Sequence, residues 1–275
     1  MEVQILVYDD QLSATRPAPT ATTDEGQTYA LLEPGQKFQV QVQLQQSLTQ
    51  SPNFRQQLKE YQARYTKKAI SCELEIDGIH ARDYLRAPAY THVFKGHKAY
   101  SADRRIQGIK PFAARSVAAL AEDAGLQEVK PDTGLILVKA NFIEERSVVV
   151  PSTPTGSDLL EEHDGASLTA GKEKFGKKPS LSISLGKACD KALLTSNWVT
   201  WHNRKLVAEA SVRIDSESAV AARHLQGGIC LDAESQTRLK KYLRGPPAVI
   251  NLIKQERHAH KKYNEWTMGT RSYGQ

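Results

Sequence analysis

The chain has 275 residues, 40% hydrophobic and 25% charged, with a net charge of +6. That suffices for one large β domain or two smaller ones, and no apolar run approaches the roughly 20 residues of a membrane-spanning helix. The cysteines, Cys72, Cys189 and Cys230, are odd in number, far apart and without CxxC spacing. This argues against a disulfide scaffold and for free, buried thiols in an intracellular (cytoplasmic or nuclear) protein.

Met1 to Asp10 lacks the cationic flank and long apolar stretch of a signal peptide and reads as a first strand. Arg16 to Gly26, rich in Pro, Thr and Ala, reads as a loose loop. Glu33-Pro34-Gly35 is a turn that launches Lys37 to Gln45, where Phe38, Val40, Val42 and Leu44 alternate with polar residues. That period of two marks a strand with one wet face. Ser51-Pro52-Asn53 opens a helix whose Phe54, Leu58, Tyr61 and Tyr65 recur at helical spacing, inserted between strands. Ile70 to Ile76 alternates again and meets Asp77-Gly78, a two-residue hairpin turn whose positions tolerate positive φ.

Further strands are predicted at Tyr90 to Phe94, Arg105 to Lys110, Leu135 to Ile143, Ser147 to Val150, Leu181 to Leu185, Trp198 to Trp201 and Leu206 to Ile214. Asp232 to Leu243 reads as a helix capped by Asp232, and a last helix is predicted from Pro246 or Pro247 to about Trp266. Strand–helix alternation is absent, so the expected fold is mostly β: an antiparallel β-sandwich-like domain with an inserted helix and C-terminal basic helices. Residues 151–179 are poor in large apolar groups and read as a flexible linker or disordered insertion. The expected division is a sandwich over 1–150, that linker, and a mixed β/α region over 180–275.

Charge is distributed unevenly. Gln236 to Gln275 hold nine Lys or Arg against Glu256 and Glu265, whereas the preceding residues balance 28 Lys or Arg against 29 Asp or Glu. A localised cationic element points to a partner. Arg238, Lys240, Lys241 and Arg244 precede Pro246-Pro247, and Lys254, Arg257, Lys261 and Lys262 follow, with Tyr242, Tyr263 and Trp266 interleaved. Cations for phosphates and aromatic faces for bases make this a candidate polyanion site. The competing reading is a solvated helical face whose aromatics pack on the body.

Other motifs fail on their spacing. Between Gly165 and Gly171 lie five residues, one more than a phosphate-binding loop uses, and Glu173 stands after Lys172 where a hydroxyl belongs. His258 and His260 are two apart, which on a helix points them in different directions. His80 and Asp83 are a possible acid–base pair, weighed against a surface Arg82–Asp83 contact. Trp198 and Trp201 are either core anchors or an exposed patch, core being favoured. No catalytic, cofactor-binding or metal residue is assigned, and no cofactor is expected.

Four segments carry a resemblance: Glu33 to Val40, Cys72-Glu73-Leu74-Glu75-Ile76-Asp77-Gly78, Ile109-Lys110-Pro111-Phe112 and Thr133 to Val138. Together they make Val3 to Ile143 similar to a β-rich domain family common in fungal genomes. The resemblance implies a compact sandwich-like fold and a fungal origin. That family has no established activity, so no functional residue is carried over. The expected function is a non-enzymatic interaction module that binds a macromolecular partner, a protein or alternatively a nucleic acid and not a membrane, through its β surface or its basic C-terminal helices.

Overall fold

The computed structural model describes residues 1–8, 14–64, 70–100, 106–117, 133–149, 163–164, 180–186, 189–193 and 198–243. The predicted last helix, the Gly165–Gly171 segment and the His258–His260 pair lie outside them.

The alternating N-terminal run forms β1 (Glu2–Tyr8) and the Lys37 run forms β5 (Lys37–Gln43). Between them lie β2 (Thr15–Pro17), β3 (Thr20–Thr22) and β4 (Thr28–Leu31). The expectation of a loose loop over Arg16 to Gly26 is therefore corrected. Its short strands pair with the neighbouring β1 and β4, and a bridge from Thr23 to the distant Leu231 adds a contact that local composition does not reveal. The chain continues through α1 (Gln46–Thr49), α2 (Pro52–Arg64), β6 (Ile70–Ile76), β7 (Ile79–Tyr84), β8 (Thr91–Phe94), β9 (Gly96–Tyr100) and β10 (Ile106–Ser116). It then forms β11 (Leu135–Val149), β12 (His163–Asp164), β13 (Leu181–Leu185), β14 (Cys189–Leu193) and β15 (Trp198–Asp215). Three short helices follow: α3 (Glu217–Leu225), α4 (Ala233–Arg238) and α5 (Lys240–Leu243).

The strands make two sheets. One has nine strands along the path β12–β13–β10–β5–β1–β2, with β9 and β14 also on β10 and β8 also on β5. The other has six, in the order β3–β4–β15–β11–β6–β7. All pairings are antiparallel except β4 with β15. The fold is mostly β and sandwich-like: one buried cluster takes Val7, Phe38, Val40, Phe112 and Ile183 from the first sheet, and Cys72, Leu74, Ile136, Val138 and Ile214 from the second. Each buried side chain of this size contributes about 1.5–3 kcal/mol. Phe54 and Tyr61 of α2 close one end of this core against Phe142, with ring centroids 5.6 and 5.0 Å away.

Strands from both sides of 151–179 share both sheets, since β13 pairs with β10 and β15 pairs with β4 and β11. The described chain therefore does not divide into a unit ending at 150 and another starting at 180; the intervening segment interrupts one pair of sheets. Two predicted strands at Leu135 and Ser147 are one strand, and so are those at Trp198 and Leu206; register shifts along β11 and β15 absorb the polar residues that broke the pattern.

The Asp77-Gly78 turn does more than reverse the chain. Both residues have positive φ, 46° and 80°, as the turn requires. The Asp77 carboxylate accepts from the Gly134 amide at 2.8 Å and from the Ile183 amide at 2.8 Å. One side chain thus joins a hairpin of the six-stranded sheet to the start of β11 and to β13 of the other sheet. Asp77→Asn keeps the turn preference but leaves one acceptor for two amides. It should lower stability by about 1–3 kcal/mol, read as a lower urea midpoint at unchanged slope.

Candidate interaction surface

Three groups of residues stand out in the described chain, two of them charged, and the C-terminal helices carry the first. β15 ends in Asp215, which is fully buried. Its Oδ1 accepts from the amides of Ser180 and Ser216, at 3.1 and 2.9 Å, and from the Ser180 hydroxyl. Ser216 then caps α3, its hydroxyl accepting from the Ala219 amide at 3.3 Å. Further along α3, Arg223 returns its guanidinium to Oδ2 of Asp215 as a buried ion pair and lies 5.4 Å from the centre of the Tyr29 ring. Burial, the nearby Tyr29 and the nearby Arg213 leave Arg223 with a pKa below its ordinary value, burial being the largest cause and Tyr29 opposing. A charge in this position needs its counterion, because desolvation costs several kcal/mol per ion.

Around this pair a second small core forms from Ala21, Tyr29 and Leu31 on the β3–β4 edge and Val220, Leu231 and Leu239 from the helical segment. Backbone and side-chain bonds sew the two together: Asp232 N to Thr22 O at 3.0 Å, Thr22 N to Ser235 Oγ at 2.7 Å, and the Arg238 guanidinium to Thr20 O. As expected, Asp232 caps α4, accepting from the Ser235 amide at 2.7 Å, and its pKa is lowered by that bond.

The four described members of the candidate polyanion site sit on this face. Arg238 pairs with Glu234 at 3.0 Å. Lys241 pairs with Glu217 at 2.7 Å and lies 4.8 Å from the Tyr242 ring centre. That bond to Glu217 raises the Lys241 pKa. Tyr242 is half-buried against the second core. Lys240 is exposed on the wall of an open groove of about 540 Å³, whose other lining residues are His224, Leu225, Ala233, Gln236, Thr237 and Leu243. Arg244, Lys254, Arg257, Lys261, Lys262, Tyr263 and Trp266 lie outside the described residues. Leu225 is 43% exposed; among the described residues only it and Leu206 are exposed large hydrophobics.

The second constellation joins the edges of the two sheets. His80 and Asp83 do not meet, being an odd number of residues apart on β7 and so on opposite faces. Arg82 faces Glu73 at 4.0 Å instead. Asp83 meets Lys98 of β9 at 2.6 Å and His92 of β8 at 3.7 Å. Burial works against the Asp83 charge, but the hydrogen bond and charge of Lys98, the Tyr84 amide and His92 outweigh it and hold its pKa low. Burial also lowers the pKa of His92, with Lys98 and Arg86 adding to it and Asp83 opposing. Opposite Asp83 in the ladder, Cys72 is wholly buried, and burial followed by the Asp83 and Glu73 charges pushes its thiol far up. Cys230, by contrast, is exposed, against the expectation of burial, because it lies in the turn before Asp232.

Trp198 and Trp201 provide the third. They stand on β15 opposite Val149 and Glu145, where β11 and β15 continue as a two-stranded ribbon beyond the last β6 pairing at Phe142. Among the described residues, no group of three or more His, Cys, Asp or Glu converges to hold a metal ion, and no helix is long and apolar enough to cross a membrane. Comparison with protein-family models, with curated proteins and with solved structures found no match.

Asp215, Arg223 and Leu225 were not singled out from the sequence, although Ser216 ahead of Glu217, with Arg223-His224 in a last turn, is a helix signature. Arg223→Met should cost about 3–5 kcal/mol by stranding a buried carboxylate, and adding Asp215→Asn should return part of that loss in chemical denaturation. For the Asp83 cluster, both shifts favour the deprotonated forms. The His92 contribution is present above about pH 6.5 and lost as pH falls through its folded pKa; that of Asp83 is present above about pH 3.9. His92→Gln should therefore flatten the fall in urea midpoint from about pH 7.5 to about pH 5.5.

Proposed function

We propose that this chain is a non-enzymatic interaction module that holds a macromolecular partner on the face made by α3, α4 and α5. The observation that carries this reading is an open groove with an exposed leucine, on helices fastened to the body by a buried ion pair and a dedicated small core. A rigid, partly apolar concavity is what recognition requires, since little ordering entropy is then lost on binding. The alternative, nucleic-acid binding through the basic tail, rests on the charge of 244–275. It is weakened in the described part, where Arg238 and Lys241 are engaged by the protein's own acids and Tyr242 faces a core. The family resemblance of the first half belongs to the same proposal and assigns no residue.

A photo-crosslinking residue at Ala233, on the groove, should give discrete adducts in cells of the source organism. The same residue at Glu75, exposed on β6 at the far side of the six-stranded sheet, should not. Adducts that disappear with Leu225→Asp support this face. Equal patterns at both positions would refute it, and adducts removed by nuclease would favour the nucleic-acid alternative.

A further inference from the structure

We infer that the α3–α5 groove takes a short acidic peptide segment, one that places a large apolar side chain beside a carboxylate; this rests on the reading above. Charge on this face is not left to chance. Arg238 and Lys241, the cations on either side of Lys240, are both matched, to Glu234 and Glu217. Lys240 forms no ion pair among the described residues and lines the groove. The one other ionisable group on its wall is His224, whose Nδ1 sits 3.3 Å from the Ile229 carbonyl and 3.4 Å from the Leu231 amide. Among the described residues no carboxylate lines the groove. A single unmatched ammonium beside exposed Leu225 and half-buried Leu243 is complementary to a carboxylate next to an apolar side chain.

Two other occupants fit worse. A phosphate backbone is held by several unmatched cations and by open aromatic faces, whereas among the described residues of this face only Lys240 is unmatched and Tyr242 packs on the second core. The chain's own C-terminal segment leaves from Leu243 with Arg244, Lys254, Arg257, Lys261, Lys262 and Arg271 against two glutamates, so it has the wrong sign for a site that lacks an acid.

The test is selection of displayed random peptides of about twelve residues on the immobilised full chain and on its Lys240→Glu variant. Peptides enriched on the wild type should pair Leu, Ile or Phe with Asp or Glu, and the variant should enrich Lys or Arg instead. By fluorescence anisotropy, an enriched peptide should bind about tenfold more weakly to Lys240→Glu and to Leu225→Ser, and unchanged to Lys95→Glu, an exposed control on the β8–β9 turn. Because both groove residues are exposed, each variant should keep the wild-type urea midpoint, which separates lost binding from lost folding. The inference is overturned if no acidic consensus emerges, if it is indifferent to Lys240, or if a single-stranded oligonucleotide competes in a Lys240-dependent way. Adducts at Ala233 that persist through such a result would leave the interaction face standing with a different partner; loss of both would remove the face itself.

Discussion

A carboxylate with no access to water organises the C-terminal part of this protein. Asp215 ends the longest described strand, and burying its charge is tolerable because Oδ1 accepts from Ser180 and Ser216 while Oδ2 faces the Arg223 guanidinium as an ion pair. Those donors come from three places at once: Ser180 ahead of β13, Ser216 at the start of α3, and Arg223 within it. The requirement that Arg223 reach Asp215 fixes the angle at which α3 leaves the sheet. Once α3 is fixed, the positions of Leu225, α4 and Lys240 follow from short connections. The candidate surface therefore inherits its rigidity from an interaction that it does not expose.

The same region explains why a strongly basic terminus makes a weak case for non-specific polyanion binding in its described part. Positive charge there is spent as a fastener: Arg223 to Asp215, Arg238 to Glu234 and a strand carbonyl, Lys241 to Glu217. The Arg238 bond to Thr20, with those of Asp232 and Ser235 to Thr22, closes the β3 edge of the six-stranded sheet, which otherwise offers unpaired backbone groups to other chains. What remains at the groove among the described residues is sparse: one exposed lysine, with Leu225 and Leu243 set among polar neighbours such as Gln236 and Thr237.

Much of the fold was legible locally. The alternation from Lys37 to Gln43, the Asp77-Gly78 turn and the Phe54 to Tyr61 stripe each act through period, turn chemistry or spacing, and each appears where those rules place it. Illegible features were those made by distance. Thr20 to Thr22 has no strand signal of its own and is ordered by β4 and by residues near Leu231 and Ser235. The Asp83–His92–Lys98 cluster draws on three strands from the edges of both sheets, and nothing in its spacing distinguishes it from the nearer but non-contacting His80–Asp83 pair. Of the candidate site, the charge excess was visible while its internal neutralisation was not, because Glu217 and Glu234 declare themselves partners only once helices bring them opposite.

The parallel ladder between β4 and β15 sets an order of events during biosynthesis. Tyr29, Ala30 and Leu31 find their neighbours at Arg213, Ile214 and Asp215, and the apolar side chains of Tyr29 and Leu31 are covered by Val220, Leu231 and Leu239. One side of β4 can pair with β3 at once, but the other must wait for β15, which lies far along the chain. Loss of the helical segment from α3 to α5 would uncover Tyr29 and Leu31, so the integrity of that sheet edge depends on a part of the chain remote from it in sequence.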